Sequence, residues 1–221
     1  MTRTTSGSSE APILNVEGDL VALGPLRRDL LPLYTRWIND LAAARMLGAF
    51  LPTTLEGETK WYDEWATSEK TVPFRVYARP ELRPIGTASL FDVDHRNRAA
   101  VFGIFIGDAQ YRGKGYGTET TRLVLDYAFT VLGLHNVMLT VYDLNPAGVR
   151  AYEKAGFKEF GRRRQSQRIG GELRDEIFMQ SLSDEFERPV TPSEDWGFSA
   201  WLSPEGTQRI KVETDHSGTA R

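Results

Sequence analysis

The run QYRGKGYGTE at residues 110–119 sets glycine at alternate positions, Gly113, Gly115 and Gly117, directly before a stretch of helical periodicity. Glycine loses more chain entropy on folding than any other residue, so three in one short segment need a physical reason. The start of a helix supplies one. Its first backbone N–H groups lack intrahelical acceptors and sit at the positive end of the helix dipole, and bare backbone lets a phosphate come close. Spacing then separates the phosphate-binding patterns. A P-loop needs glycine five residues before the Gly113-Lys114 pair, where Asp108 stands, and Ser or Thr after Lys114, where Gly115 stands. The dinucleotide fingerprint G-x-G-x-x-G needs glycine at Thr118 and usually opens the first βα unit of a domain. The pattern that fits is R/Q-x-x-G-x-G/A, met by Arg112 through Gly117 and, in a second register, by Gln110 through Gly115.

The elements that must carry this loop can be read from periodicity and turn residues. Residues 20–26 read as a strand, 27–47 as a helical stretch that Pro32 breaks or offsets early, and 55–69 as a second helix. Residues 73–80 and 84–94 make a hairpin, 98–108 a longer apolar strand, and 118–133 a helix stopped by Gly133. That helix keeps Leu123, Val124, Tyr127, Ala128 and Val131 on one face. A strand at 135–143, a helix at 145–156 and a hairpin over 157–182 turning at Gly170-Gly171 complete the pattern. The order predicts an α/β (α+β) fold: a mixed, mostly antiparallel central sheet flanked by helices. Residues 1–12 are a Ser/Thr-rich flexible N-terminus, 13–188 one domain, and 189–221 a polar C-terminal extension, disordered or docking through Trp196, Phe198 and Trp201.

Composition removes several classes of function. With 27 basic and 30 acidic residues among 221 the formal charge is -3, which gives no overall pull toward nucleic acid or an anionic membrane. Arg162, Arg163, Arg164 and Arg168 cluster, but strand alternation divides them between two faces. The chain has no cysteine, so disulfides and thiolate chemistry are absent, and its three histidines, His95, His135 and His216, are too scattered for a metal site. No apolar signal region or long apolar span occurs, and a cytoplasmic location is expected.

Taken together, NRAAVFGIFIGD (97–108), YRGKGYGTET (111–120) and NPAGVRAYEKAGF (145–157) resemble the GNAT acetyltransferases, in particular their RimJ/RimL-type branch, and the order of elements follows that family from about residue 19 to 182. The resemblance implies acetyl-CoA as co-substrate, with its pyrophosphate on the backbone of Arg112, Gly113, Lys114, Gly115, Tyr116, Gly117 and Thr118. It also implies a splayed central strand pair at that site, so that Ile104, Phe105 and Ile106 offer free backbone groups to the thioester. Tyr152 and Asn145 are the candidate catalytic residues, Tyr152 as proton donor to the departing thiolate and Asn145 as a further cofactor contact on the pantetheine arm. The implied activity is N-acetyl transfer to a primary amine, a protein N-terminal α-amine or a small molecule, in a ternary complex. No metal, nucleic acid or membrane is called for, and a homodimer is compatible with the sequence.

Each of these residues also has a plainer role. Asn145 before Pro146 is an N-cap with proline at the first helical position, and Tyr152 shares a helical face with Val149 and Ala155. A phenol of pKa about 10 is protonated at neutral pH and can donate to a thiolate whose conjugate acid is near 8.5. One departure matters: many relatives carry Glu where this chain has Val101, and that carboxylate helps deprotonate the amine. Asp92, Asp94 and His95 in the preceding hairpin are the substitutes the sequence offers. A weak base favours an α-amine, of which about a tenth is neutral at pH 7, over a lysine-like amine, neutral about once in 2,500 molecules. The acceptor is expected against the first two helices, around Trp37, Trp61 and Trp65. The alternative is a non-catalytic acyl-CoA-binding regulatory module, and a third reading is a structural subunit that uses its tryptophan-bearing extension.

Overall fold

The computed structural model describes residues 11–48 and 51–188. Readings placed on residues 1–10 and 189–221, the docking tryptophans included, lie outside the described residues.

Strands β1 (Val16–Glu17), β2 (Val21–Gly24), β3 (Val72–Ala78), β4 (Arg83–Asp94), β5 (Ala99–Ile106), β6 (Asn136–Tyr142), β7 (Lys158–Ile169) and β8 (Glu172–Leu182) form one sheet in the order β1-β2-β3-β4-β5-β6-β8-β7. Every neighbouring pair is antiparallel except β5 and β6. That parallel pair needs a crossover, and helix α4 (Tyr116–Thr130) makes it. The glycine run is therefore the β5–α4 turn, leading into the crossover between the two strands that run in the same direction.

Strand alternation assigns the two faces. On one, Phe74 meets Tyr127 of α4 edge-on at 5.2 Å, and Phe102 meets Tyr152 of α5 (Pro146–Ala155) at 6.4 Å. On the other, Arg75, Gly103 and Phe105 face helices α1 (Leu31–Ile38) and α3 (Leu55–Ala66). Buried Leu90, Leu123, Leu125, Leu139 and Met179 fill the core, each contributing about 1.5–3 kcal/mol of apolar burial.

The expected helical stretch over 27–47 is broken differently from the way Pro32 suggests. Pro32 sits in the first turn of α1, where its missing N–H costs nothing, and α1 ends at Ile38. The break is at Asn39-Asp40. Asn39 exchanges hydrogen bonds with the backbone of Thr53, at 2.7 and 3.0 Å, and Asp40 accepts the Ala42 N–H at 3.1 Å to start α2 (Leu41–Ala44). Two polar side chains thus stop one helix and cap the next. The hairpins at β3–β4 and β7–β8 stand as expected, the second turning at Gly170 and Gly171, both with positive φ.

Candidate active site

The loop after β5 is built to present backbone. Asp108 caps a short turn by accepting the Gln110 N–H at 3.1 Å, and Gly113 (φ 71°) and Gly115 (φ 93°) then take left-handed conformations that side chains disfavour. Gly115 is the N-cap of α4, its carbonyl accepting the Glu119 N–H at 3.0 Å. From Gly113 to Thr118 no backbone N–H has an acceptor among the described residues. No atom lies within 4 Å of where a Cβ on Gly113 would stand. Unspent amides around open space at a helix N-terminus fit a pyrophosphate. The side chain of Arg112, placed by sequence in the same cradle, does another job: its guanidinium turns back to donate to the carbonyls of Ile106 at 2.8 Å and Gly107 at 2.6 Å, fixing the end of β5. Its contribution to a bound anion is left to its backbone. Lys114 is exposed beside the loop.

Beyond the loop the sheet opens. β5 and β6 pair only from Ala99↔Asn136 to Val101↔Met138, although β5 runs on to Ile106 and β6 to Tyr142. Ile104, Phe105 and Ile106 therefore border a wedge instead of a neighbouring strand. Two residues of α5 stand by this wedge. Asn145 Oδ1 accepts the Gly148 N–H at 2.9 Å, so the capping role is real, and its Nδ2 has no hydrogen-bonding partner among the described residues. Tyr152 packs edge-on to Phe102 and to Phe157 at 6.1 Å, and burial pushes its pKa up to about 12. Its hydroxyl has no hydrogen-bonding partner among the described residues, while part of the side chain stays accessible.

The opposite face is aromatic. Phe91, the β4 partner of Val101, lies over Gly103, where a Cβ would come within 2.8 Å of its ring. Trp65 stacks edge-on to Phe91 at 4.5 Å and tilts against Trp61 at 4.1 Å. Trp37 is core: it is buried with Leu31 and Tyr34, and Gly107 has no room for a side chain against it. The hairpin residues offered in place of a carboxylate at 101 lie at the far end of β4. Asp94 accepts from the N–H and side-chain amide of Asn97, which hold its pKa below the usual range, Asp92 is exposed near the end of β4, and His95 is exposed at the turn. Sequence reasoning missed Glu58, buried on α3; its spacing with Trp61, Tyr62 and Trp65 was the available signal.

A cleft of about 880 Å³ lies past the end of β6. It is lined by Leu41, Arg45 and Met46, by Leu144 next to Asn145, and by Glu172 and Arg174 at the start of β8. Among the described residues no group of His, Asp and Glu could hold a metal, and no helix is long and apolar enough to cross a membrane.

A mixed sheet split at its parallel pair, with a glycine-rich turn at the split, defines an acetyl-CoA-dependent acyltransferase architecture. The family model for the acetyltransferase (GNAT) domain matches residues 21–158, and the chain belongs to that family of N-acetyltransferases. It is 36% identical to the probable N-acetyltransferase YjcK of Bacillus subtilis over 61% of this chain and 76% of that protein. It is 34% identical to the spermidine N(1)-acetyltransferase of Vibrio cholerae, over 46% of this chain and 58% of that one. Among solved structures, the Vibrio cholerae spermidine N-acetyltransferase in complex with CoA and spermine superposes with a TM-score of 0.70 at 26% identity, covering 75% of this chain and 97% of the other.

Proposed function

We propose that this enzyme moves the acetyl group of acetyl-CoA to a primary amine by direct attack, with the donor held along the β5–β6 wedge and the acceptor entering from the face of α1–α3. The observation that carries the reading is the wedge itself, which opens beside the run of unspent amides from Gly113 to Thr118. Acetyl-CoA supplies an activated thioester carbonyl. The chain's part is to hold the pyrophosphate on those amides, to give backbone N–H groups of β5 to the carbonyl oxygen, and to keep a proton on Tyr152 Oη for the leaving sulfur. Asn145 Nδ2 is free to donate to an amide carbonyl of the pantetheine arm.

Two acceptor classes compete. The RimJ/RimL-like motifs favour a peptide N-terminal α-amine, and the spermidine acetyltransferases named above favour a polyamine. Cleft charge supports the first. Arg45 and Arg174 stand against the one carboxylate of Glu172, and Glu172 is ion-paired to Arg174. With Arg174 spent on Glu172, Arg45 leaves the lining one net positive charge, which repels a polyamine and attracts an amine that also carries a carboxylate. The deciding experiment is an amine panel of peptides, amino acids, aminoglycosides and polyamines, scored by release of CoA thiol. Turnover of anionic amines above polyamines supports the assignment, and preference for spermidine reverses it. Tight acetyl-CoA binding with no turnover of any amine supports the non-catalytic module, for which the absence of a carboxylate at Val101 is the argument.

A further inference from the structure

Helix α3 carries two glutamates in its first turn with opposite surroundings. Glu56 is exposed, and hydrogen bonds from its own backbone and from Thr54 lower its pKa. That is ordinary helix-terminus behaviour. Glu58 is 8% exposed, the one buried residue of α3. Its carboxylate has no hydrogen bond or ion pair among the described residues, and burial alone raises its pKa. An unpaired buried carboxylate destabilises a fold, so its presence asks for a function.

Its position supplies one. Residues 58, 61, 62 and 65 recur at helical spacing and share a face. Trp61 and Tyr62 of that face pack with Phe105 against the α1 cluster, and Trp65 stacks on Phe91, which covers Gly103. The face that bears Glu58 therefore packs on the side of the sheet opposite Tyr152, reaching Phe91 through Trp65 and sharing the α1 cluster with Phe105 through Trp61 and Tyr62. Val101, whose side chain cannot accept a proton, looks toward the same side.

We propose that Glu58 is the acceptor-side base of the transfer: its carboxylate meets the ammonium group of the amine, directly or through one water, and takes its proton. This rests on the acetyltransferase reading above. The freed nitrogen lone pair forms the C–N bond to the acetyl carbon as the C–S bond breaks. The nitrogen sheds two protons in all. The first goes to Glu58 and from there to solvent; the second, lost as the amide forms, replaces the one that Tyr152 gives to the sulfur. A carboxylate kept basic by its apolar surroundings suits this work better than an exposed one.

The test compares full-length wild type with Glu58→Gln and Glu58→Leu across primary amines whose pKa runs from about 7.7 to about 10.4. If Glu58 is the base, kcat/KM at an assay pH of about 8.5 falls about 10²-fold or more for the most basic amines, and the deficit shrinks to within about threefold for those of pKa about 7.7, which are largely neutral at that pH. Acetyl-CoA affinity by calorimetry stays unchanged, and the melting temperature of Glu58→Leu equals or exceeds that of wild type. A merely structural glutamate gives the opposite set: a deficit independent of amine pKa, with a lower melting temperature. A deficit that does not vary with amine pKa, or no deficit, in the isosteric Glu58→Gln protein overturns the proposal. Wild type that binds acetyl-CoA but acetylates none of the amines removes the underlying function instead, and the inference falls with it.

Discussion

The ring of Tyr152 is boxed by Phe102 and Phe157, and a phenol in that setting holds its proton up to about 12. It therefore keeps its proton throughout the neutral range. Tyr152→Phe keeps the ring and its packing, so acetyl-CoA affinity should persist while kcat drops by about 10²–10⁴-fold where chemistry limits turnover. Steady-state rates decide: a kcat within about threefold of wild type, roughly under 1 kcal/mol, removes Tyr152 from the mechanism. The same burial has a consequence for stability. A folded-state pKa raised above the ordinary value of about 10 gives a contribution that is complete below that pH and lost as pH rises through about 12. Tyr152→Phe lacks this loss. Between pH 10 and 12 its denaturant midpoint should fall less steeply than that of wild type, and parallel curves would contradict the burial argument.

The β5–α4 turn depends on glycine unequally along its length. At Gly115 the backbone is left-handed and Leu20 Cδ1 stands 3.3 Å from a would-be Cβ, whereas Gly117 is helical and meets its nearest neighbour, Ile106 Cγ1, at 4.0 Å. Gly115→Val should therefore weaken acetyl-CoA binding more than tenfold and also cost about 1–2 kcal/mol of stability, from the forced left-handed residue. Gly117→Ala should alter neither. Calorimetry and chemical denaturation on the two proteins test the pair, and unchanged affinity in Gly115→Val would remove the loop from cofactor binding. The turn is braced from behind by Arg112, so Arg112→Ala should release the end of β5 and weaken binding without touching an amide.

After β8 the chain returns across the α4–α5 face. Ser183 donates to His135 O at 2.9 Å, Phe186 packs on Phe129 at 5.3 Å, and Arg188 pairs with Asp126 at 2.8 Å. The Asp126 side chain is only 3% exposed, so Arg188 is the cation that compensates a buried carboxylate. Truncation after Glu187 removes that cation and should lower stability by about 1–3 kcal/mol relative to truncation after Arg188. Denaturant midpoints of the two truncated proteins measure the difference. Equal midpoints would show that solvent compensates Asp126 unaided. Any test of the residues beyond 188 should keep Arg188 in place.

Local chemistry determined much of this protein before any contact was known. A glycine-rich helix start, a capped helix at Asn145 and apolar strands at regular intervals are properties of short segments, and the sequence carries them in residue type and spacing. The β5–α4–β6 crossover follows too, because parallel strands require one. Tertiary structure alone decided which way polar side chains turn. Arg112 lies inside the phosphate-loop motif yet bonds to carbonyls of its own strand, since those carbonyls come within reach only when the loop closes. Trp37 and Trp65 are alike in sequence, but one is core and the other an aromatic wall, because α1 seats on Gly107 and α3 on Phe91. Glu58 belongs with them. A glutamate in the first turn of a helix is indistinguishable from a surface residue until the rest of the chain packs around that turn, and burial is a property of the whole fold.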